Sequence, residues 1–289
     1  MEVHEPVLAE TVMKYLNVKK GGTYIDATLN GGGHARKILE MAGDRGMVLG
    51  IDRDPKLIQK MGKEDIKGLV ACVANYSSMG NLIQKLKIKK VDGILFDFGL
   101  SSWHLQKSKR GFSFQKDEKL DMRFSEEEDI PTAASIINSY SEDELARIFS
   151  IYGEEPRSRQ IAKAVVLARR QNRIITTGRL TEIISKNSRG AKAGRHPATR
   201  VFQALRIAVN QELENIQLGL DAAMRIVAAA GRIVAISFHS LEDRIVKNKF
   251  RETPFGMPLT KKPVRANRQE ILKNPRSRSA RLRAWEKIV

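Results

Sequence analysis

Along the first hundred residues, short apolar runs alternate with segments whose apolar positions recur at helical spacing. TYI before Asp26, MVLGI before Asp52, LVACVA from Leu69 and VDGILF before Asp97 are rich in β-branched and aliphatic side chains and end at aspartate or asparagine. Runs of this length and composition predict buried strands. Between them, Val7, Leu8, Val12 and Leu16 fit one face of a helix after Pro6. Ala35 to Met41 suits a second helix, the segment opened by Asp54-Pro55 a third, and Met79 to Leu86 a fourth. Strand and helix in alternation predict a parallel sheet with right-handed crossovers, whose ligand crevice lies outside the carboxyl ends of the strands.

The alternation then stops. Ser102 to Gly111 is polar, and Gly111-Phe-Ser-Phe followed by Leu120-Asp-Met-Arg reads as an ordered loop. From Ile130 to Gly190 the pattern is helical, with a capping box at Ser141 to Glu144 and with Ile161, Ala164, Val165 and Ala168 at helix spacing. His196-Pro-Ala-Thr-Arg200 opens a long helix with Phe202, Leu205, Val209, Leu213, Ile216 and Leu220 facing inward. A fifth strand is expected over Gly231 to Phe238, a helix from His239, and a last strand near Arg281 to Trp285. The expected organisation is a discontinuous sheet domain, 1–103 with 196–289, and an inserted all-helical subdomain, 104–195.

At 289 residues the chain has ample length for a buried core. Cys72 is the only cysteine and the five histidines are scattered, so neither a disulfide nor a structural zinc site is expected. The acidic start MEVHEPVLAETV lacks a signal-peptide core, and no run nears the ~20 apolar residues of a membrane span, so a soluble, cytoplasmic protein is expected. Charge changes the picture more: the net charge is +18, and from Arg251 to Val289 eleven basic residues face three glutamates. Such an excess favours a polyanionic partner, nucleic acid above all. Arg157, Arg159, Arg169, Arg170 and Arg173 of the insert are either a solvated face or a phosphate-contacting one.

The candidate chemistry lies on one edge of the predicted sheet. In GTYIDATLNGGGH, from Gly22 to His34, a strand, a glycine turn and a helix start present backbone N–H groups and let a nucleotide-like cofactor approach closely, although such a turn can also be no more than a tight connection. Asp52 lies 21 residues beyond Gly31, near the spacing at which an acid on the next strand reaches a ribose hydroxyl. As a cap for the helix after it, Asp54 is the better placed of the two. Tyr76 and Asp97 end the third and fourth strands. A nicotinamide site is disfavoured because Arg36 occupies the third glycine of GxGxxG, and neither GxxxxGK[ST] nor GxSxG occurs. What remains is an S-adenosylmethionine site, with a ribose for Asp52, an amino acid moiety for the turn and an adenine near Tyr76, and with no need of a metal.

Nine blocks then carry a resemblance. DATLNGGGH (26–34), GIDRDP (50–55), FDFGLSS (96–102), RGFSF (110–114), LDMR (120–123), YGEE (152–155), HPATRVFQALRIAVNQEL (196–213), SFHSLEDRIVK (237–247) and NPRSRSARLR (274–283) resemble, in order and over nearly the whole chain, the bacterial 16S ribosomal RNA cytosine-N4 methyltransferases, the RsmH or MraW family. The resemblance implies an α/β fold with a Rossmann-like class I methyltransferase sheet, S-adenosyl-L-methionine as cofactor, and a cytidine of the small subunit's 16S RNA as substrate. Position by position it implies cofactor contacts at Gly32, Gly33, His34, Asp52, Tyr76, Asp97 and His104. On the cytidine side it implies His196, Arg200, Ser237, His239, Ser240 and Arg244, whose plainer reading is helix starts and core packing. Asn30 stands where the family has the first glycine of its turn, and Trp103-His104 where it has proline and an amide. Asparagine still accepts the left-handed conformation.

Cytosine N4 delocalises its lone pair into the ring, so an acceptor must take its N–H while the methyl arrives. Asp97 is placed for that role or for holding the cofactor's own amino group or its adenine. The other readings are an amine methyltransferase with a different nucleic acid, and a non-catalytic RNA-binding protein that keeps the cofactor fold.

Overall fold

The computed structural model describes residues 6–187 and 196–288. They fall into two compact units, Met1–Gly99 with Leu213–Val289, and Leu100–Glu212.

The first half of the first unit runs α1 (Ala9–Leu16), β1 (Thr23–Asp26), α2 (Gly33–Ala42), β2 (Met47–Asp52), α3 (Pro55–Gly62), β3 (Leu69–Val73), a 3₁₀ turn (Tyr76–Ser78), α4 (Met79–Lys85) and β4 (Val91–Asp97). Helices of the second unit follow: α5 (Ser102–Gln106), α6 (Ala133–Ser139), α7 (Glu142–Ile151), α8 (Ser158–Gln171), α9 (Thr177–Lys186) and α10 (Ala198–Asn210). The chain then passes through α11 (Glu212–Ile226), β5 (Val227–Ser237), α12 (Ser240–Glu252), β6 (Gly256–Pro258), α13 (Arg268–Lys273) and β7 (Arg281–Lys287).

The strands form one sheet in the order β3-β2-β1-β4-β5-β7-β6. The first five are parallel, and β7 runs antiparallel to both its neighbours. The two-residue side-chain period sorts each central strand between two faces. Ile94, Phe96, Ile233 and Ala235 join one apolar cluster with Ile216 and Leu220 of α11 and Phe250 of α12. Leu95, Val234 and Ile236 join another with Val12 and Leu16 of α1 and Ile38 of α2. Both faces are therefore covered, which is why these strands read as unbroken apolar runs. All five parallel strands lie within a few residues of their predicted positions. β6, three residues ending in proline, leaves no pattern to read.

The second unit encloses its own core, with Ile136, Leu145, Phe149, Ile161, Val165, Leu180, Ile184, Phe202 and Leu205 in a single cluster. The predicted capping box is present: Ser141 Oγ accepts from Glu144 N, and Glu144 Oε2 accepts from Ser141 N at 2.7 Å. The loop over 110–123 is ordered by Asn210, whose Nδ2 donates to Met122 O at 2.8 Å and whose Oδ1 accepts from Phe124 N at 2.9 Å.

Three expectations are corrected. The long helix from His196 to Leu220 is two helices, because Gln211 takes the left-handed conformation with φ 51° between α10 and α11. The apolar spacing runs on across that break, so Phe202, Leu205 and Val209 fill the core of the second unit while Ile216 and Leu220 fill that of the first. Consequently α10 belongs with the inserted unit and the chain returns to the sheet unit at 213, not at 196. The expected boundary at residue 195 lies outside the described residues. In addition, α2 begins at Gly33, two residues before its predicted start at Ala35. No helix among the described residues is long and apolar enough to cross a membrane.

Candidate active site at the carboxyl edge of the sheet

Beyond β1 the chain stays within reach of both neighbours: Ala27 N donates to Leu95 O and Leu29 N to Ile51 O, each at 2.8 Å. It then turns through Asn30 at φ 49° and Gly32 at φ 71°. At Gly32 a side chain would be strained by the left-handed backbone, and a Cβ 2.6 Å from Met61 Cε would push that methionine aside. At Gly31 the opposite holds: a Cβ there would meet nothing within 4 Å, so the turn faces open space at this point. No side chain caps the N-terminus of α2. Its first N–H groups and the positive end of its dipole are therefore available to an anionic ligand group.

Three carboxylates surround this turn. Asp52 Oδ2 accepts from Asn30 N at 2.8 Å and its Oδ1 from Asp54 N at 2.9 Å. The capping of α3 falls to Asp54, whose Oδ1 accepts from Lys56 N, as the spacing predicts. Asp97 is anchored on both sides: its N–H donates to Thr28 Oγ1 at 2.6 Å and its Oδ1 accepts from Gly99 N at 3.2 Å. Asp26, at the end of β1, is fully buried. Burial pushes its carboxyl up to about 6, opposed by the nearby His34 ring and reinforced by the negative charges of Asp97 and Asp52.

His34 stands among these acids. The residue is 5% exposed, Nε2 lies 3.6 Å from Asp97 Oδ2, and neither ring nitrogen finds a hydrogen-bond partner among the described residues. Buried polar atoms in native proteins almost always have partners, so an orphaned imidazole beside an open turn marks a place where a ligand completes the bonding. Tyr76 is set by its neighbours. It meets Phe96 edge-on at 5.6 Å and Phe98 at 6.0 Å, and a Cβ on Gly219 would lie 2.6 Å from its Cδ2. Asn75 holds the 3₁₀ turn that carries Tyr76, accepting from Ser77 N and donating to Asn215 Oδ1.

Within the same unit, Ser237 and the start of α12 are tied into the fold. Ser237 Oγ donates to Arg281 O at 3.3 Å. His239 is the N-cap of α12, in a capping box in which Glu242 Oε2 accepts from His239 N at 3.2 Å and also takes Phe238 N at 2.7 Å. Ser240 is half-buried and Arg244 exposed on the first turns of that helix. The remaining candidates belong to the second unit. His104 is buried between Phe112 and Phe124, each 5.2 Å away, with Nδ1 2.7 Å from Ser101 Oγ. Exposed His196 stacks on Phe114 at 4.5 Å, and Arg200 lies 4.0 Å from Glu155.

The structure thus brings Gly32, Gly33, His34, Asp52, Tyr76 and Asp97 to one sheet edge. Thr28, Asp26 and Asn75, not among the expected contacts, join them. Thr28 acts through one side-chain hydrogen bond, from Asp97 N, and Asn75 through two, none of which a motif encodes, whereas Asp26 had a signal, an acid closing a buried strand before a glycine turn. The donor set suits a cofactor with an anionic group for α2, a diol for Asp52, a flat ring for Tyr76 and a cationic centre for the acids.

A profile of the MraW methylase family matches residues 1–288. The chain is 46% identical to a protein of Thermomicrobium roseum called ribosomal RNA small subunit methyltransferase H, over 99% of this chain and 94% of that one. It is 43% identical to a protein of the same name from Caldicellulosiruptor saccharolyticus, over 100% of both. To that from Deinococcus deserti it is 43% identical over 99% of this chain and 94% of the relative.

Proposed function

The chain belongs to the MraW methylase family, and on that premise we propose that it methylates the exocyclic N4 amine of a cytidine in 16S ribosomal RNA, using S-adenosylmethionine. The supporting observation from the site is the orphaned His34 ring between carboxylates at an uncapped helix start. When bound, the cofactor supplies an electrophilic sulfonium methyl. Gly33 and His34 would offer backbone N–H groups to its amino acid end, with Gly32 shaping the turn through its own N–H to Leu29 O, while Asp52 would take the ribose diol as it already takes Asn30 N and Tyr76 would cover the adenine.

On the acceptor side the difficulty is the N4 lone pair, which is conjugated into the pyrimidine ring. A carboxylate accepting an N4–H hydrogen bond localises that pair, and the same oxygen takes the proton once nitrogen becomes positively charged. Asp97 is our choice for this group, with the cofactor's ammonium as its competing partner. Its Oδ1 is fixed by Gly99 N, so Oδ2 is the oxygen that can turn to a ligand. His104 completes the cofactor side of the proposal, and His196, Arg200, Ser237, His239, Ser240 and Arg244 the cytidine side. The enzyme works in the cytoplasm on the small ribosomal subunit.

The test is incubation with labelled S-adenosylmethionine and unmodified small subunits, followed by mass mapping of the RNA. Label on one cytosine amine is expected. Absence of label rejects the reading, and label on a carbon or a ribose oxygen rejects the N4 chemistry.

A further inference from the structure

The inserted unit contains an open cavity of about 400 Å³, lined by Ser135, Asn138 and Ser139 of α6, by Arg169 in the last turn of α8 and by Arg173 just beyond it. That volume lies within the usual range of ligand sites, roughly 300–1,000 Å³. Other arginines of this unit are neutralised by carboxylates: Arg123 by Asp121, Arg179 by Glu182 and Arg206 by Glu212. Among the described residues, neither Arg169 nor Arg173 has such a partner. Arg169 spends one N–H on Ile137 O at 2.7 Å, which satisfies a carbonyl near the end of α6, and a guanidinium has four more to give. Arg173 is exposed, and its side chain makes no hydrogen bond among the described residues.

The cavity is also held in shape. Asn138 clamps the segment after α8, with Nδ2 donating to Ala134 O and Ile174 O at 2.7 Å each and Oδ1 accepting from Ile174 N at 3.0 Å. The backbone beside Arg173 is thereby fixed to α6 before any ligand arrives. Ser135 Oγ, 2.9 Å from Thr132 Oγ1, adds a hydroxyl at the rim. Two uncompensated guanidinium forks beside a hydroxyl, on a rigid floor and with no acid present, are a receptor for a tetrahedral oxyanion.

We infer that this cavity seats a phosphodiester group of the RNA substrate, a subsite that anchors the strand. The inference rests on the reading of the chain as an RNA methyltransferase. Free phosphate shares the chemistry, but an open cavity on a chain of net charge +18 suits a group carried on a long polyanion.

The experiment is fluorescence anisotropy of the full chain with a fluorescein-labelled fragment of unmodified 16S RNA, from about 50 to 200 mM KCl. Arg173→Gln should weaken binding roughly three- to tenfold and reduce the slope of log K against log salt by about 0.7–0.9, as for one lost phosphate contact. Arg147→Gln removes the same charge from an exposed site on α7 outside the cavity and should change neither. Arg169→Lys keeps the charge but loses the fork, and should fall between wild type and Arg173→Gln. Equal losses from Arg147→Gln and Arg173→Gln, or no loss from Arg173→Gln, overturn the assignment. Saturable displacement of the RNA by inorganic phosphate at constant ionic strength gives the cavity to a small anion and overturns it as well. Binding is read without methyl transfer, so the two proposals fail separately. RNA held through Arg173 by a chain that transfers no methyl removes the enzyme reading alone, and methylation with Arg173→Gln binding as wild type removes the subsite alone.

Discussion

The backbone N–H of Asn30 donates to Asp52 Oδ2 at 2.8 Å, so the turn after β1 is fastened to the end of β2 by the same carboxylate that is proposed to hold the cofactor's ribose. Asn30 pays for its place in that turn with a left-handed backbone at φ 49°, softened by its Nδ2 bonding to Thr28 O at 3.1 Å. Asn30→Gly should therefore keep stability within about 0.5 kcal/mol and leave cofactor binding intact. Asn30→Val should cost about 1–2 kcal/mol for the backbone strain, and more for the lost side-chain bond. Urea denaturation with and without cofactor reads both, and equal stability of the two variants would show that the turn is not strained.

Asp26 makes stability depend on pH. Its carboxyl is raised to about 6 by burial, against about 3.9 in an unfolded chain. Below about pH 4 both states hold the proton and Asp26 costs nothing. As pH rises to about 6 the unfolded chain ionises first, so stability falls, and by about pH 7 the loss is complete at about 3 kcal/mol. Asp26→Asn keeps the acceptor for Thr28 N and has no proton to lose. The stability of wild type relative to this variant, from urea curves, should drop by about that amount between about pH 4 and 7. A constant difference across the range would mean that Asp26 ionises as freely in the fold as outside it.

His239 tests whether a residue can serve as a cap and as a substrate contact together. It caps α12 with Glu242 in return, so His239→Ala should cost about 1 kcal/mol, seen as a fall in Tm. His239→Asn restores the cap, because asparagine is among the best N-cap residues. If the cytidine-side assignment holds, His239→Asn regains the Tm but still raises KM for the ribosomal subunit. Recovery of both would leave His239 a purely structural residue.

Much of this was legible in the chain because the chemistry sits where periodicity is strongest. Unbroken apolar runs ending at Asp52 and Asp97 located the sheet edge, and the Asp54-Pro55 pair located the start of α3. Gln211 defeats the same method. One left-handed residue ends a helix without disturbing the apolar spacing on either side, and neither glycine nor proline announces it. Nor could spacing show that His34 stands between carboxylates without a hydrogen-bond partner among the described residues, since that depends on how β1, α2 and β4 meet.

Asp97 carries the strongest prediction. Its backbone N–H is held by Thr28 Oγ1 and its Oδ1 by Gly99 N, so Asp97→Asn can keep the oxygen that takes Gly99 N and with it the local fold. What changes is the other position, which faces His34 Nε2 and becomes an amide donor in place of a carboxylate oxygen. Either proposed role fails with that exchange, since an amide cannot take a proton from N4 and offers no charge to an ammonium group. The variant should thus lose at least about a hundredfold in kcat/KM with an unchanged Tm. Calorimetric titration of the cofactor then divides the roles. An unchanged Kd with a fallen kcat makes Asp97 the acceptor of the N4 proton, whereas a Kd weakened in proportion makes it a cofactor ligand. Full activity in the variant would remove Asp97 from the site altogether.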